Sequence, residues 1–175
     1  MITTARLTLV LPGPQHLDAH AAFYASPRAA ELGWQETMHQ SWRNFASVIG
    51  HFALRGFGPF VAERDGQPIG LFGPWHPGGQ AEAEIKWILW DAASEGQGLA
   101  HEAALASRTY AYDALGWDAA ASFISPDNAR SQALARKLGA KPERDWTTPS
   151  GKLVTIWRHP GPEGRTSPSL DEGAL

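Results

Sequence analysis

Residues 95–100, Glu95-Gly96-Gln97-Gly98-Leu99-Ala100, decide how this chain is read, because a strand pattern ends before them and a helix pattern begins at them. Upstream, residues 82–90 (EAEIKWILW) alternate as a strand does. Glu84, Lys86, Ile88 and Trp90 fall on one face and Ile85, Trp87 and Leu89 on the other. Downstream, Gly98 to Leu115 are rich in alanine and set Leu99, Ala103, Ala106, Tyr110 and Ala114 on one side of a helix that Gly116 stops. Glycines at such a junction let the backbone approach a ligand, and the first-turn amides of the helix point outward without a partner. With the positive end of the helix dipole, those amides make a seat for phosphate oxygens. The seat needs no lysine, and this segment has none. Plain tight turns also contain Gly-x-Gly, so the surroundings must decide.

On the N-terminal side, Arg6 to Leu11 alternate as a half-buried strand, and a helix is expected over Pro14 to Ser26. A second helix runs from about Thr37 to Arg55, with Trp42, Phe45, Ile49 and Phe52 on one stripe and Gly56 after it. Pro59 to Arg64, an Asp65-Gly66 turn and Pro68 to Phe72 read as a hairpin, since Asp-Gly suits the positive φ of tight hairpin turns. Pro74 to Gly79 read as a loop. On the C-terminal side, Ala119 to Ser125 give a buried strand, and Asp127 or Asn128 can cap a helix that ends at Gly139. Glu143 to Trp146 and Lys152 to His159 form a closing hairpin. Residues 1–160 are expected to be one domain and residues 161–175 a C-terminal tail.

Two further segments agree with a phosphate seat: Ser125-Pro126-Asp127-Asn128-Ala129-Arg130-Ser131 and Arg136-Lys137-Leu138-Gly139-Ala140. Together with residues 95–100 they resemble the GNAT acetyltransferases, especially the branch of ribosomal-protein N-acetyltransferases. That family's acetyl-CoA motif, Gln/Arg-x-x-Gly-x-Gly/Ala, is matched at Gly98 and Ala100. Its Asn-x-x-Ser and Lys-Leu-Gly motifs stand here as Asn128, Ser131 and Lys137-Leu138-Gly139, and Thr4-Ala5-Arg6-Leu7-Thr8-Leu9 is similar to the branch's opening. The resemblance covers about residues 4 to 159.

The fold class implied is α/β in the α+β sense. A mixed, mostly antiparallel central sheet of about six to seven strands is flanked by about four helices and splayed at the fourth and fifth strands. The activity implied is transfer of an acetyl group from acetyl-CoA to a primary amine, a protein N-terminus or a small amine, by direct attack through a tetrahedral intermediate. Acetyl-CoA would sit on Gly96, Gln97, Gly98, Leu99, Ala100, Asn128 and Ser131, with an oxyanion-stabilising amide from Ile88, Leu89 or Trp90. A base must strip the acceptor ammonium, with Glu84 the first candidate and Glu82 the second. The tyrosine by which many members protonate the leaving thiolate is replaced by Ala135, so Ser131 or a water must act instead. Glu95 stands where the family has Gln or Arg; a carboxylate repels phosphate, so it is expected to point away. Trp34, His39 and Trp75, with Trp42 and His76, are the acceptor candidates.

Composition narrows the field. Without cysteine there is no disulfide, thiolate nucleophile, Cys-based zinc site or acetyl-cysteine intermediate. A formal charge of −3 argues against nucleic-acid docking, and phosphate binding on backbone amides would need no basic patch. No stretch nears the roughly 18 apolar residues of a membrane span, so a cytoplasmic protein without membrane association is expected. The eight tryptophans either fill the core or line a ligand cleft. A Rossmann domain is disfavoured, because the glycines lie past mid-chain and Asp118 precedes the next strand instead of ending it. His16 and His20 have zinc-ligand spacing but no third ligand, and no metal is expected. The competing function is an acetyl-CoA-binding regulatory module of the same fold with weak catalysis. A homodimer is compatible with the resemblance, without an interface read from the pattern.

Overall fold

The computed structural model describes residues 1–162, so all but the first two residues of the expected tail lie outside it. Two short strands, β1 (Ile2–Thr3) and β2 (Thr8–Val10), form the N-terminal edge of the sheet. A 3-10 turn at Pro14–His16 leads into α1 (Leu17–Tyr24), α2 (Pro27–Glu31) and α3 (Met38–Arg55). Strands β3 (Phe60–Arg64), β4 (Gln67–Trp75) and β5 (Glu84–Leu89) follow. Then come α4 (Leu99–Asp113), β6 (Ala121–Ile124), α5 (Ala129–Lys137), β7 (Lys141–Thr147) and β8 (Leu153–Arg158). The eight strands make one sheet in the order β1-β2-β3-β4-β5-β6-β8-β7.

Local chemistry explains most boundaries. Asp65 and Gly66 have φ of 51° and 75°, the pair of positive angles that a type I′ hairpin turn requires. Thr37 caps α3 in a capping box with Gln40, and Gly56 closes it in the left-handed region. The helix expected over Pro14 to Ser26 stands as the 3-10 turn and α1, and the short α2 after it was not anticipated. Ser26 caps a new turn by accepting from the Ala29 amide, with Pro27 at its first position, so the chain restarts there. Strand β4 also runs further than the pattern suggested: Pro74 pairs with Ile85 and Trp75 with Glu84. The eighth strand is β1, too short for any period to reveal.

The sheet separates two cores. Ile88 and Trp90 pack with Phe23, Tyr24, Phe45 and Val48 under α1 and α3. Trp87 and Leu89 pack on the opposite side with Leu99, Ala103 and Ala104 of α4. The alternation read along residues 82–90 is therefore the alternation between these layers.

All pairs are antiparallel but one. β5 and β6 run parallel, with register at Glu84 opposite Ala121. Beyond that point side chains span the gap. The Phe123 amide donates to Glu84 at 3.2 Å, and the Ser122 hydroxyl donates to the Ile85 carbonyl at 2.6 Å. His159 and Ser122 are hydrogen-bonded at 2.9 Å, and Arg108 reaches the other ring nitrogen at 3.3 Å. This cluster closes the base of the splay and leaves its upper end open. No helix among the described residues is long and apolar enough to cross a membrane.

Candidate active site

The turn at residues 95–98 is built on backbone angles that side chains resist. Gly96 and Gly98 have φ of 72° and 77°, and Gly98 is the residue that opens α4. The first helical bond runs from the Glu102 amide to the Gly98 carbonyl, so the amides of Leu99, Ala100 and His101 have no intrahelical acceptor. They face a cavity of about 420 Å³ lined by Gly96, Gly98, Leu99, Ala100 and His101 on one side and Asn128, Ser131 and Leu134 on the other. Gln97 is held elsewhere. Arg6 bonds its carbonyl at 2.8 Å, Arg64 its side-chain oxygen at 2.7 Å, and its side-chain Nε2 donates to the Ala93 carbonyl at 2.7 Å.

Glu95 does not point away, as the sequence suggested. Its carboxylate lies at the cavity rim, where Arg28 of α2 and Arg130 of α5 both bond Oε1, the latter at 3.1 Å. Two cations from opposite sides neutralise the charge that would otherwise repel an anion. Arg28 also donates to the Trp90 carbonyl at 3.1 Å, and its buried Nε has no partner among the described residues. Lys137 lines the same groove. The groove thus carries Arg28, Arg130 and Lys137 against Glu95, a basic character beyond the backbone seat the sequence indicated.

A second cavity of about 1090 Å³ opens between the splayed strands. The two cavities share Leu32, Trp34, Trp87, Ile88, Asn128 and Ser131. At this junction Asn128 caps α5 by accepting from the Ser131 amide at 3.0 Å. The Trp87 indole N–H donates to Ser131 Oγ at 3.2 Å, which leaves the hydroxyl hydrogen free for another acceptor. The Trp90 amide is committed to the Ile69 carbonyl at 2.7 Å. By the alternation of strand amides, the Leu89 N–H turns away from β4 toward the opening, so of Ile88, Leu89 and Trp90 it is the available oxyanion donor. The Trp90 side chain is buried among the core aromatics.

Glu84 lines the second cavity and is itself buried. Burial raises its pKa against the opposing pull of Lys86, the Phe123 amide and Gln80. Glu82 instead sits in an ion-pair network with Arg158 and Arg144, and is engaged as a structural anion. The acceptor candidates divide. Trp34 and Trp75 line the second cavity. His39 and Trp42 are exposed on α3, and neither they nor His76 are among its lining residues. Ala135 is wholly buried against Ile124, Ala140 and Trp157, so its side chain packs in the core. The helical period of α3 could not say which face met the cavity.

The two histidines at zinc-ligand spacing are each held by other partners. His16 bonds the Gly13 amide and Glu63, and His20 bonds Ser41. Among the described residues no group of His, Asp and Glu could hold a metal ion. Sequence reasoning did not single out Arg28, Glu36, Lys86 or His101 as site residues. Only Lys86 carried a signal, as a cation on the same strand face as Glu84.

Residues 6–141 match the acetyltransferase (GNAT) domain family. Among solved structures, an acetyltransferase from Agrobacterium tumefaciens str. C58 is 28% identical, with a TM-score of 0.82 over 90% of this chain and 92% of that one. RimL, a ribosomal L7/L12 alpha-N-protein acetyltransferase solved with coenzyme A, is 18% identical, with a TM-score of 0.70 over 89% of this chain and 94% of its own. The aminoglycoside acetyltransferase AAC(6')-Ib, solved with coenzyme A and kanamycin, is 19% identical, with a TM-score of 0.70 over 88% of this chain and 94% of its own.

Proposed function

The chain belongs to the GNAT acetyltransferase family, and from that premise we propose that it moves the acetyl group of acetyl-CoA to a primary amine held in the second cavity. The observation that carries this reading is the meeting of two cavities at Trp34, Trp87, Ile88, Asn128 and Ser131, in front of the Leu89 amide. The first cavity fits the coenzyme's phosphates, because it joins the unpaired first-turn amides of α4 to Arg28, Arg130 and Lys137. A cytoplasmic setting is part of the same proposal.

In the reaction the amine nitrogen forms a bond to the thioester carbonyl carbon and the C–S bond breaks; the acceptor ammonium gives up one proton before the attack and a second from the tetrahedral intermediate, and this second proton replaces the hydroxyl hydrogen that Ser131 passes to the departing sulfur. Glu84 takes the proton from the acceptor ammonium, directly or through water; a carboxyl whose pKa is raised by burial is better matched to that transfer. The Leu89 amide steadies the oxyanion. Ser131, oriented by Trp87, donates its hydroxyl hydrogen toward the sulfur. These roles need neither a tyrosine at Ala135 nor a cysteine.

The test is a thiol-release assay with acetyl-CoA and a panel of amines, peptides and aminoglycosides. Release above hydrolysis is expected, and Glu84→Gln should lower turnover by about a hundredfold with coenzyme affinity retained. Unchanged turnover would remove Glu84 from this role. Coenzyme binding with no release for any acceptor would favour the regulatory module, the reading supported by the buried Ala135.

A further inference from the structure

The acceptor cavity contains unmatched charge of both signs. Lys86 lies on the strand face that also carries Glu84, two residues apart and therefore about 7 Å along β5. Its ammonium sits over the Trp75 ring, 5.0 Å from the centroid, and Trp75 is itself stacked on His51 at 4.4 Å. Among the described residues Lys86 makes no hydrogen bond and no ion pair, so its donors face the Trp75 ring and the open cavity. Glu36, on the opposite wall, accepts from Asn44 at 3.1 Å through one oxygen, while its other oxygen is buried with no partner. Burial works against the charge of Lys86, and the nearby carboxylates of Glu84 and Glu36 support it. The cavity wall also includes Asp127 and Lys152, so neither sign dominates.

An ammonium that no carboxylate hydrogen-bonds, in a cavity that also holds a carboxylate oxygen without a donor, leaves room for a ligand group at each. A polycation would satisfy Glu84 and Glu36 but would be repelled by Lys86. A neutral amine would leave Lys86 unmet. Only a ligand that brings both charges meets both.

Building on the proposed acetyl transfer, we propose that the acceptor is a small amino acid, its amine directed to Glu84 and its carboxylate bound by Lys86. The Trp75 face fixes where that carboxylate lies, and the spacing along β5 suits a separation of a few bonds between the two groups. Lys86 is thus the specificity-determining residue of the acceptor cavity.

The experiment compares α-, β- and γ-amino acids with their carboxamides, and with kanamycin, in the thiol-release assay. At least one acid should exceed its carboxamide by about tenfold in kcat/KM, with kanamycin poorer still. Lys86→Gln should erase that preference by raising KM for the acid far more than for the carboxamide, and Lys86→Arg should retain it. Equal use of acids and carboxamides, or a preference that survives Lys86→Gln, overturns the assignment; so does a fall in kcat for every acceptor alike, which would make Lys86 a support for Glu84 alone. Calorimetry on the coenzyme-A-loaded protein separates the two readings. An acid that binds while its carboxamide does not, with no thiol release, upholds the carboxylate site and refutes acetyl transfer. Failure of every acid to bind refutes the site.

Discussion

Glu95 offers the sharpest test of how the groove handles charge. Its carboxylate joins Arg28 and Arg130 across the rim, with the Arg28 side chain 20% exposed, Glu95 35% and Arg130 72%. The exposed Arg130 contact is screened and contributes close to nothing, whereas the sheltered Arg28 contact belongs at the upper end for such pairs, about 1 kcal/mol. A bound pyrophosphate competes with Glu95 for the same guanidinium groups, so the free protein holds that interaction and the complex gives it up. Glu95→Gln removes it from the free state only. Coenzyme A should then bind about fivefold more tightly, the equivalent of 1 kcal/mol. The variant should also be less stable by about the same 1 kcal/mol, lowering the melting temperature by roughly 2–4 °C. Isothermal calorimetry at low and high salt, paired with thermal melts, reads both. The opposed signs are the signature. Weaker coenzyme binding in Glu95→Gln would show that the carboxylate positions the arginines for the ligand, and the competition argument would fall.

Three more outcomes are expected, two at Gly98 and one at the buried histidines. Gly98→Ala has room, since the nearest heavy atom to an added Cβ is Arg6 Nη2 at 3.5 Å, so it should lose only the left-handed strain of about 1–2 kcal/mol in denaturant melts. Gly98→Glu should abolish coenzyme binding in calorimetry, and retained affinity would dismiss the amide seat. Burial lowers the pKa of His20 to about 4 and of His159 to about 3, with Lys86 opposing charge on the first and Arg108 and Arg158 on the second. Both are held neutral in the fold while the unfolded chain takes up protons below about 6.5, so stability is full above that pH and falls as pH drops. Between pH 7 and 5 each should lose about 2 kcal/mol by denaturant titration. A flat profile would show that neither is held neutral.

Sequence and structure agree wherever the cause is local. The Asp65-Gly66 turn, the caps at Thr37 and Asn128 and the left-handed Gly98 are set by residues within a few positions of one another, so their chemistry is visible in order along the chain. The helix expected over Pro14 to Ser26 ends where the pattern put it, but the five-residue α2 after it was not read, because one turn and a half is too short to show a helical period. His39 and Trp42, read as acceptor candidates, lie on α3 outside the lining of the second cavity. A helix offers several faces, and only packing against the sheet decides which is covered; Trp42 is left 56% exposed.

By itself the sequence determined the alternation of strands and helices and the strand–glycine–helix junction, because period and turn chemistry act over a handful of residues, while Glu84 and Ser131 became candidates only through the resemblance to the family. Tertiary structure alone decided how charge is distributed around that junction. Arg28 reaches Glu95 across 67 positions and Trp87 reaches Ser131 across 44. Glu36 and Lys86 share a cavity because α3 and β5 pack on the same side of the splay. Electrostatic interactions depend on distance in space and on exclusion of water, and neither quantity is written in the order of the residues.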